Sequence, residues 1–143
     1  MLEQEFDRQL RFAVHALDAA HRRVFRELDL PLTYPQYLVL ATLSRRGPVT
    51  VRELGRALRL DSGTLSPLLR RLETAGLVRR VRSADDERSV VVHLTEGSAA
   101  IRRQARLVPG RIAAAAGLEQ SEVRALQQAL SRLTASLDTF NDQ

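Results

Sequence analysis

Cysteine is absent from this 143-residue chain, which excludes disulfides, thiolate metal sites and any thiol redox switch. Tryptophan is absent too, and the aromatics are only Phe6, Phe12, Phe25, Phe140, Tyr34 and Tyr37. The core must therefore be built from Leu, Val and Ala. No apolar run approaches the roughly 18 residues that a membrane-spanning helix needs. Met1 to Arg11 is mixed and polar rather than charged-then-apolar, so no secretory leader is expected and a cytoplasmic location is. Lysine is missing as well: all 22 basic residues are Arg. A GC-rich coding bias and a demand for bidentate phosphate and guanine contacts both yield that pattern.

The position of the charge is more telling than its amount. Residues 45–88 hold 11 Arg against six acids (Glu53, Asp61, Glu73, Asp85, Asp86, Glu87), while the remainder holds 11 of each. The whole surplus of +5 thus sits in the middle third. A basic segment between neutral arms is the footprint of a polyanion binder. Charge alone leaves nucleic acid and an anionic membrane surface equally open.

Apolar periodicity organises the chain. Leu10, Val14, Leu17, His21, Val24 and Leu28 recur at three- and four-residue steps, one face of a long amphipathic helix. Leu30 to Thr33 interrupts it. Thr33 can cap a second helix whose first turn accepts Pro35; Tyr37, Leu40, Ala41 and Leu43 form its apolar side, and Gly47-Pro48 ends it. Val49-Thr50-Val51 reads as a short strand, followed by a helix over 52–58 with Leu54, Ala57 and Leu58 inward. After a turn at Arg59-Leu60-Asp61, a fourth helix opens at Asp61 or Ser62 and buries Leu65, Leu68, Leu69 and Leu72. Pro67 falls inside that helix, where its ring meets Gly63 near the start, and is tolerated with at most a slight bend.

Ala75-Gly76 supplies a glycine C-cap. Leu77–Arg82 and Ser89–Leu94 read as the strands of a hairpin with a polar, charged tip at 83–88. Thr95 is expected to cap a fifth helix to about Leu107, broken or kinked by Pro109-Gly110. A sixth, from near Glu119, carries Val123, Leu126, Leu130, Leu133, Leu137 and Phe140 at alternating steps of three and four. That narrow seam suits a helix partner, either a second copy of the chain or its own first helix.

Helix, short strand, helix, turn, helix and two-stranded wing is the order of a DNA reader. The second helix of a helix-turn-helix enters the major groove while the first braces it. Residues 61–72 have the required two sides. Ser62, Gly63, Thr64, Ser66 and Pro67 are small enough for close approach to base edges, and Arg70 and Arg71 can reach phosphate or guanine. The wing adds Arg79, Arg80 and Arg82 on one strand and Arg88 at the tip. The acidic trio beside Arg88 is reconciled with DNA if a carboxylate, best Asp86, pairs with Arg88 and poses its guanidinium for a narrow A·T-rich minor groove.

Residues 32–40 (LTYPQYLVL), 60–73 (LDSGTLSPLLRRLE) and 85–89 (DDERS), with the Val-Pro-Gly-Arg-Ile stretch at 108–112, resemble the MarR family, most nearly its organic-hydroperoxide-resistance repressors. The resemblance spans almost the whole chain. It implies a mainly α fold with a small β-hairpin wing, one domain over 1–143. Its winged helix-turn-helix lobe at 33–94 is joined to a helical dimerisation region at 1–30 and 95–143. It implies a homodimer on a pseudo-palindromic operator in double-stranded DNA, no cofactor and no metal, and regulation by repression. Ser62, Thr64, Ser66, Pro67, Arg70, Arg71, Arg79, Arg82, Asp86 and Arg88 form the expected DNA contact set.

The chain departs from that branch at its sensor. The family's reactive cysteine aligns with Arg11, within Arg11-Phe12-Ala13-Val14-His15, and His15 stands where a tyrosine would hydrogen-bond the thiol. A second pocket tyrosine aligns with Phe25, and Tyr34 matches the third. Without a thiol no sulfenic acid can form. A small aromatic or anionic effector near Arg11, His15, Phe25 and Tyr34 is the expectation in its place. Enzyme chemistry is not expected: His15, His21 and His93 are dispersed, with no carboxylate pair or phosphate loop beside them. The competing class is a winged helix used as a protein-interaction scaffold.

Overall fold

The computed structural model describes residues 2–86 and 88–143, in two compact units divided after Pro109. The first unit opens with α1 (Leu2–Glu27), α2 (Tyr34–Arg46), β1 (Val49–Thr50), α3 (Val51–Leu58) and α4 (Ser62–Thr74). The hairpin β2 (Val78–Arg82) and β3 (Val90–Leu94) follows, then a 3-10 turn at Glu96–Ser98 and α5 (Ala99–Ala105). Next comes α6 (Val108–Ala116), in which the division falls, and α7 (Gln120–Asn141) lies in the second unit. No helix among the described residues is long and apolar enough to cross a membrane.

The helix ends are specified locally. Thr33 and Gln36 form a capping box for α2, the Gln36 amide donating to Thr33 Oγ1 and the Thr33 amide to Gln36 Oε1. Thr50 and Glu53 do the same for α3. That role takes Val51 into the helix rather than the expected strand. At their C-termini α1, α3 and α4 share one solution. Leu30 donates to the Phe25 carbonyl, Leu60 to Gly55 and Leu77 to Leu72, each across a residue in the left-handed region: Asp29, Arg59 and Gly76. This is the Schellman arrangement. Only one of the three uses glycine.

The sheet has three strands in the order β1-β3-β2. The sequence suggested a two-stranded wing. The third strand arises because Val49 and Thr50 pair antiparallel with Val92 and Val91, a contact forty residues apart that local pattern does not carry. β2 is therefore an edge strand, and its outer side faces α4. The core is aliphatic: Val39, Leu40 and Leu43 of α2, Leu54 of α3, the four leucines of α4, and Leu77, Val78 and Val92. Burial of each such side chain contributes about 1.5–3 kcal/mol. The aromatics gather elsewhere, with Phe25 and Tyr37 at 5.4 Å between centroids and His21 and Tyr34 at 4.5 Å.

Beyond the wing the chain departs from expectation. Thr95 does not cap a helix with its side chain; its hydroxyl donates to the Gly76 carbonyl at 2.6 Å. Its own carbonyl accepts from Ser98 Oγ, which in turn accepts from Arg102 Nε at 2.9 Å. This chain of bonds joins α5 to the end of α4. The expected break before Pro109-Gly110 is present: α5 ends at Ala105 and a new helix, α6, opens at Val108 with Pro109 in its first turn, where its missing N–H leaves no intrahelical bond unmade. In the second unit, the Glu119 amide donates to Glu122 Oε1 at the start of α7.

Candidate nucleic-acid interface

Asp61 sets the start of α4. Its Oδ1 accepts from the Thr64 amide at 2.7 Å, and that backbone donor holds the carboxyl below its ordinary range. Ser62, Gly63 and Thr64 are exposed in the first turn, Ser66 and Pro67 are half-buried, and Arg70 and Arg71 are exposed further along. Behind them Leu65, Leu69 and Leu72 are at most 1% exposed, so the helix is anchored on one side and polar on the other. Gly63, Pro67 and Arg70 follow one another at three- and four-residue steps, which makes them the centre of the open face. Pro67 has no N–H to give to Gly63, and the helix continues through it.

Asp86 plays a different part from the expected one. Its Oδ1 accepts from the Arg88 amide at 3.0 Å and its Oδ2 from Ser89 Oγ at 3.2 Å. It holds the backbone of the tip, not the guanidinium of Arg88. A short carboxylate reaches an amide two residues on more readily than the end of a long side chain. Ser83 and Ser89 close the same turn through a 2.8 Å backbone bond. Arg88 is exposed at the tip. Glu87, third of the acidic trio, lies outside the described residues.

The strand Args are not equivalent. Residues two apart share a face, so Arg80 and Arg82 follow buried Val78 while Arg79 follows the other side with exposed Val81. Arg79 and Arg82, expected to act together, therefore point to opposite faces of β2. Arg80, absent from the expected contact set, is bound to the recognition helix through Glu73. Its amide donates to Glu73 Oε2 at 3.0 Å, and its Nε and Nη2 donate to Glu73 Oε1 at 3.3 and 3.1 Å. The strand amide first, and the guanidinium with it, hold the Glu73 carboxyl below its ordinary range.

Between α3, the start of α4 and the wing lies a cleft of about 1270 Å³, where Arg52, Arg56, Arg59, Arg80 and Arg88 face Glu53, Asp61 and Asp86. Sequence reasoning missed Arg52, Arg56 and Arg59 in this role. Their excess in residues 45–88 was the only signal, and it does not tell one Arg from another.

The expected effector residues separate. Phe25 and Tyr34 line a cavity of about 450 Å³ with Asp18, His21, Arg22 and Arg26. Arg11 and His15 do not line it, and both are exposed on α1. At 1.5 Å per residue they lie about 21 and 15 Å along the helix from Phe25. His21 takes the place given to His15. Its Nδ1 donates to the Leu17 carbonyl at 3.0 Å, which leaves Nε2 for a ligand. Nearby, burial, and then the neighbouring Tyr34, push the Tyr37 hydroxyl up.

A polar helix standing on a leucine stripe, braced by a second helix and flanked by a cationic hairpin, defines a winged helix-turn-helix protein. The MarR family's sequence profile matches residues 32–90. The chain is 38% identical to the organic hydroperoxide resistance transcriptional regulator of Bacillus subtilis, over 99% of both chains. It is 42% identical to the HTH-type transcriptional regulator TtmR of Methylorubrum extorquens over 94% of this chain and 70% of that protein. Among solved structures, a MarR variant from E. coli complexed with operator DNA superposes with a TM-score of 0.74 at 31% identity, covering 87% of this chain and 93% of the other. The chain belongs to the MarR family: it is a DNA-binding transcriptional regulator, not an enzyme.

Proposed function

We propose that the chain acts as a homodimeric repressor. One α4 enters each half of a pseudo-palindromic operator, and a wing tip lies in each flanking minor groove. The observation that carries this reading is the joint exposure, in one compact unit, of the polar face of α4 and of Arg88. Residues 33–94 form the DNA-binding lobe, with Ser62, Thr64, Ser66, Pro67, Arg70, Arg71 and Arg88 toward the duplex. Residues 1–30 and 95–143 form the dimerisation region. In support, Phe6, Phe12, Val14 and Leu17 of α1 stand 46–64% exposed, and Leu126, Leu130, Leu137 and Phe140 of α7 46–70% exposed. Two-fold symmetry then sets the half-sites about 10 base pairs apart, and action on chromosomal DNA places the protein in the cytoplasm.

Release is by a small aromatic or anionic effector rather than by cysteine oxidation. The cavity at Phe25 and Tyr34 supports this, because it sets aromatic rings and the His21 imidazole beside Arg22 and Arg26. Genome-fragment selection with the purified protein, followed by binding at several salt concentrations, tests the DNA reading. Several Arg–phosphate contacts make affinity fall steeply between about 50 and 200 mM salt. An affinity indifferent to salt would point to a protein-interaction scaffold instead. Calorimetry with salicylate-like acids tests the effector: wild type binds and Tyr34→Ala binds more weakly, while no heat with wild type removes the proposal.

A further inference from the structure

We infer that Glu73 is a positioning residue that locks the wing to the recognition helix, so that the two read DNA as one rigid piece. The inference rests on the DNA-binding reading above but concerns a residue that does not itself face the duplex. Glu73 stands on the last turn of α4, and Arg80 is the middle residue of β2. One carboxylate collects three donors: the strand amide on Oε2, and both Nε and Nη2 of the guanidinium on Oε1. Charge-assisted bonds of this kind are the strong ones.

The geometry matters because β2 has no strand on its outer side. The Arg80 amide points away from β3 into that open edge, where Glu73 takes it. α4 thus closes the sheet edge with a side chain that also fixes the guanidinium. Beyond this point the hairpin carries the pairings up to Arg82 and Val90 and the Ser83–Ser89 bond before the tip with Arg88. Hinge freedom between helix and hairpin would be amplified at that tip, since it is the part farthest from the hydrophobic core. With the clamp closed, the wing is fixed against α4 before DNA arrives, and binding does not bear the cost of ordering one against the other.

Electrostatics alone predicts the opposite of this inference, which makes it testable by sign. Glu73→Gln deletes a negative charge beside a polyanion, so an unpositioned wing would bind more tightly. The clamp predicts weaker operator binding, by roughly 5- to 20-fold, a range typical of coupling within one hydrogen-bond network. Glu73→Asp keeps the charge but is one methylene too short to serve both strand and guanidinium, and is expected to weaken binding as well. It also covers the case in which Glu73→Gln folds poorly.

Binding selection with randomised flanks supplies the second readout. Both variants should lose preference at the positions under the wing and keep it under α4. Amide exchange of Arg80 in the DNA-free protein supplies the third, and its protection should fall in both variants. Unchanged or tighter binding with intact flank preference, or undiminished Arg80 protection, overturns the clamp. Wild-type protein that ignores every duplex at low salt overturns the DNA reading instead, so the two failures are distinguishable.

Discussion

Replacing Gly55 by alanine puts a number on the turn that aims the recognition helix. In an ordinary helix interior this exchange stabilises by about 0.5–1 kcal/mol, because glycine loses more backbone freedom on folding. Gly55 lies in α3 and is buried. A Cβ there would stand 3.0 Å from the Leu60 carbonyl oxygen and 3.5 Å from Leu65 Cδ2. The near atom is backbone, and it cannot swing aside freely. Leu60 is held to the Gly55 carbonyl at 2.9 Å, and Asp61, the next residue, caps α4. Overpacking of this kind costs about 1–3 kcal/mol; with the near atom a pinned backbone oxygen the cost falls in the upper part of that range, about 2–3 kcal/mol, and less the helix gain the net loss is roughly 1–2.5 kcal/mol. For a chain of this length that lowers Tm by roughly 3–4 °C per kcal/mol. Urea unfolding at one fixed protein concentration, which keeps any association constant, measures it, and operator affinity should fall in step as α4 tilts. A Gly55→Ala protein as stable as wild type would refute the claim that this close approach governs the turn.

Gly63→Ala separates stability from function. Its Cβ would meet only Asp61 Oδ1 at 3.5 Å, so stability should hold or rise slightly, while the added methyl on the open face of α4 weakens operator binding; equal affinity in a gel-shift titration counts against close approach at this position. Acid sensitivity follows from Glu73 and Asp61, whose carboxyls are both lowered in the folded protein. Their stabilising contribution is complete above the ordinary values of 4.5 and 3.8 and is lost as pH falls through the lower folded values. Glu73→Gln should therefore flatten the acid limb of a stability–pH profile, and an unchanged limb contradicts the assignment. Organic hydroperoxide should leave DNA binding intact, since the chain has no cysteine; release by peroxide at concentrations that spare Met1 would require another chemistry.

What the sequence made legible was local. The α4 helix could be read almost to the residue, since Asp61, the leucine spacing and Gly76 each act within one or two turns. The wing followed from turn-forming residues between β-branched runs. Long-range pairing was not legible: the short strand at Val49 and Thr50 could be read, but nothing local told that it would join the wing against Val92 and Val91. Pro109 marked the end of α5 correctly, but not that a new helix, α6, starts there, because proline both breaks helices and begins them. Arg79, Arg80 and Arg82 look alike in sequence, and only the partner seven residues upstream, Glu73, marks Arg80 out. Arg11 and His15 went astray for a related reason. They were assigned by correspondence with a sensor, whereas helical rise carries them well away from the cavity at Phe25 within this chain.

The bonds running from Arg102 through Ser98 and Thr95 to Gly76 bear on how the molecule yields to force. Ser98 is wholly buried, and its hydroxyl gives to one neighbour while taking from the next, so the links are direct. Drawing α5 sideways must either carry the rear of α4 with it or sever one of these hydroxyl contacts, of which those at Ser98 are shielded from solvent. The reading helix thus has a tether at its far end, which couples any swing of it to α5.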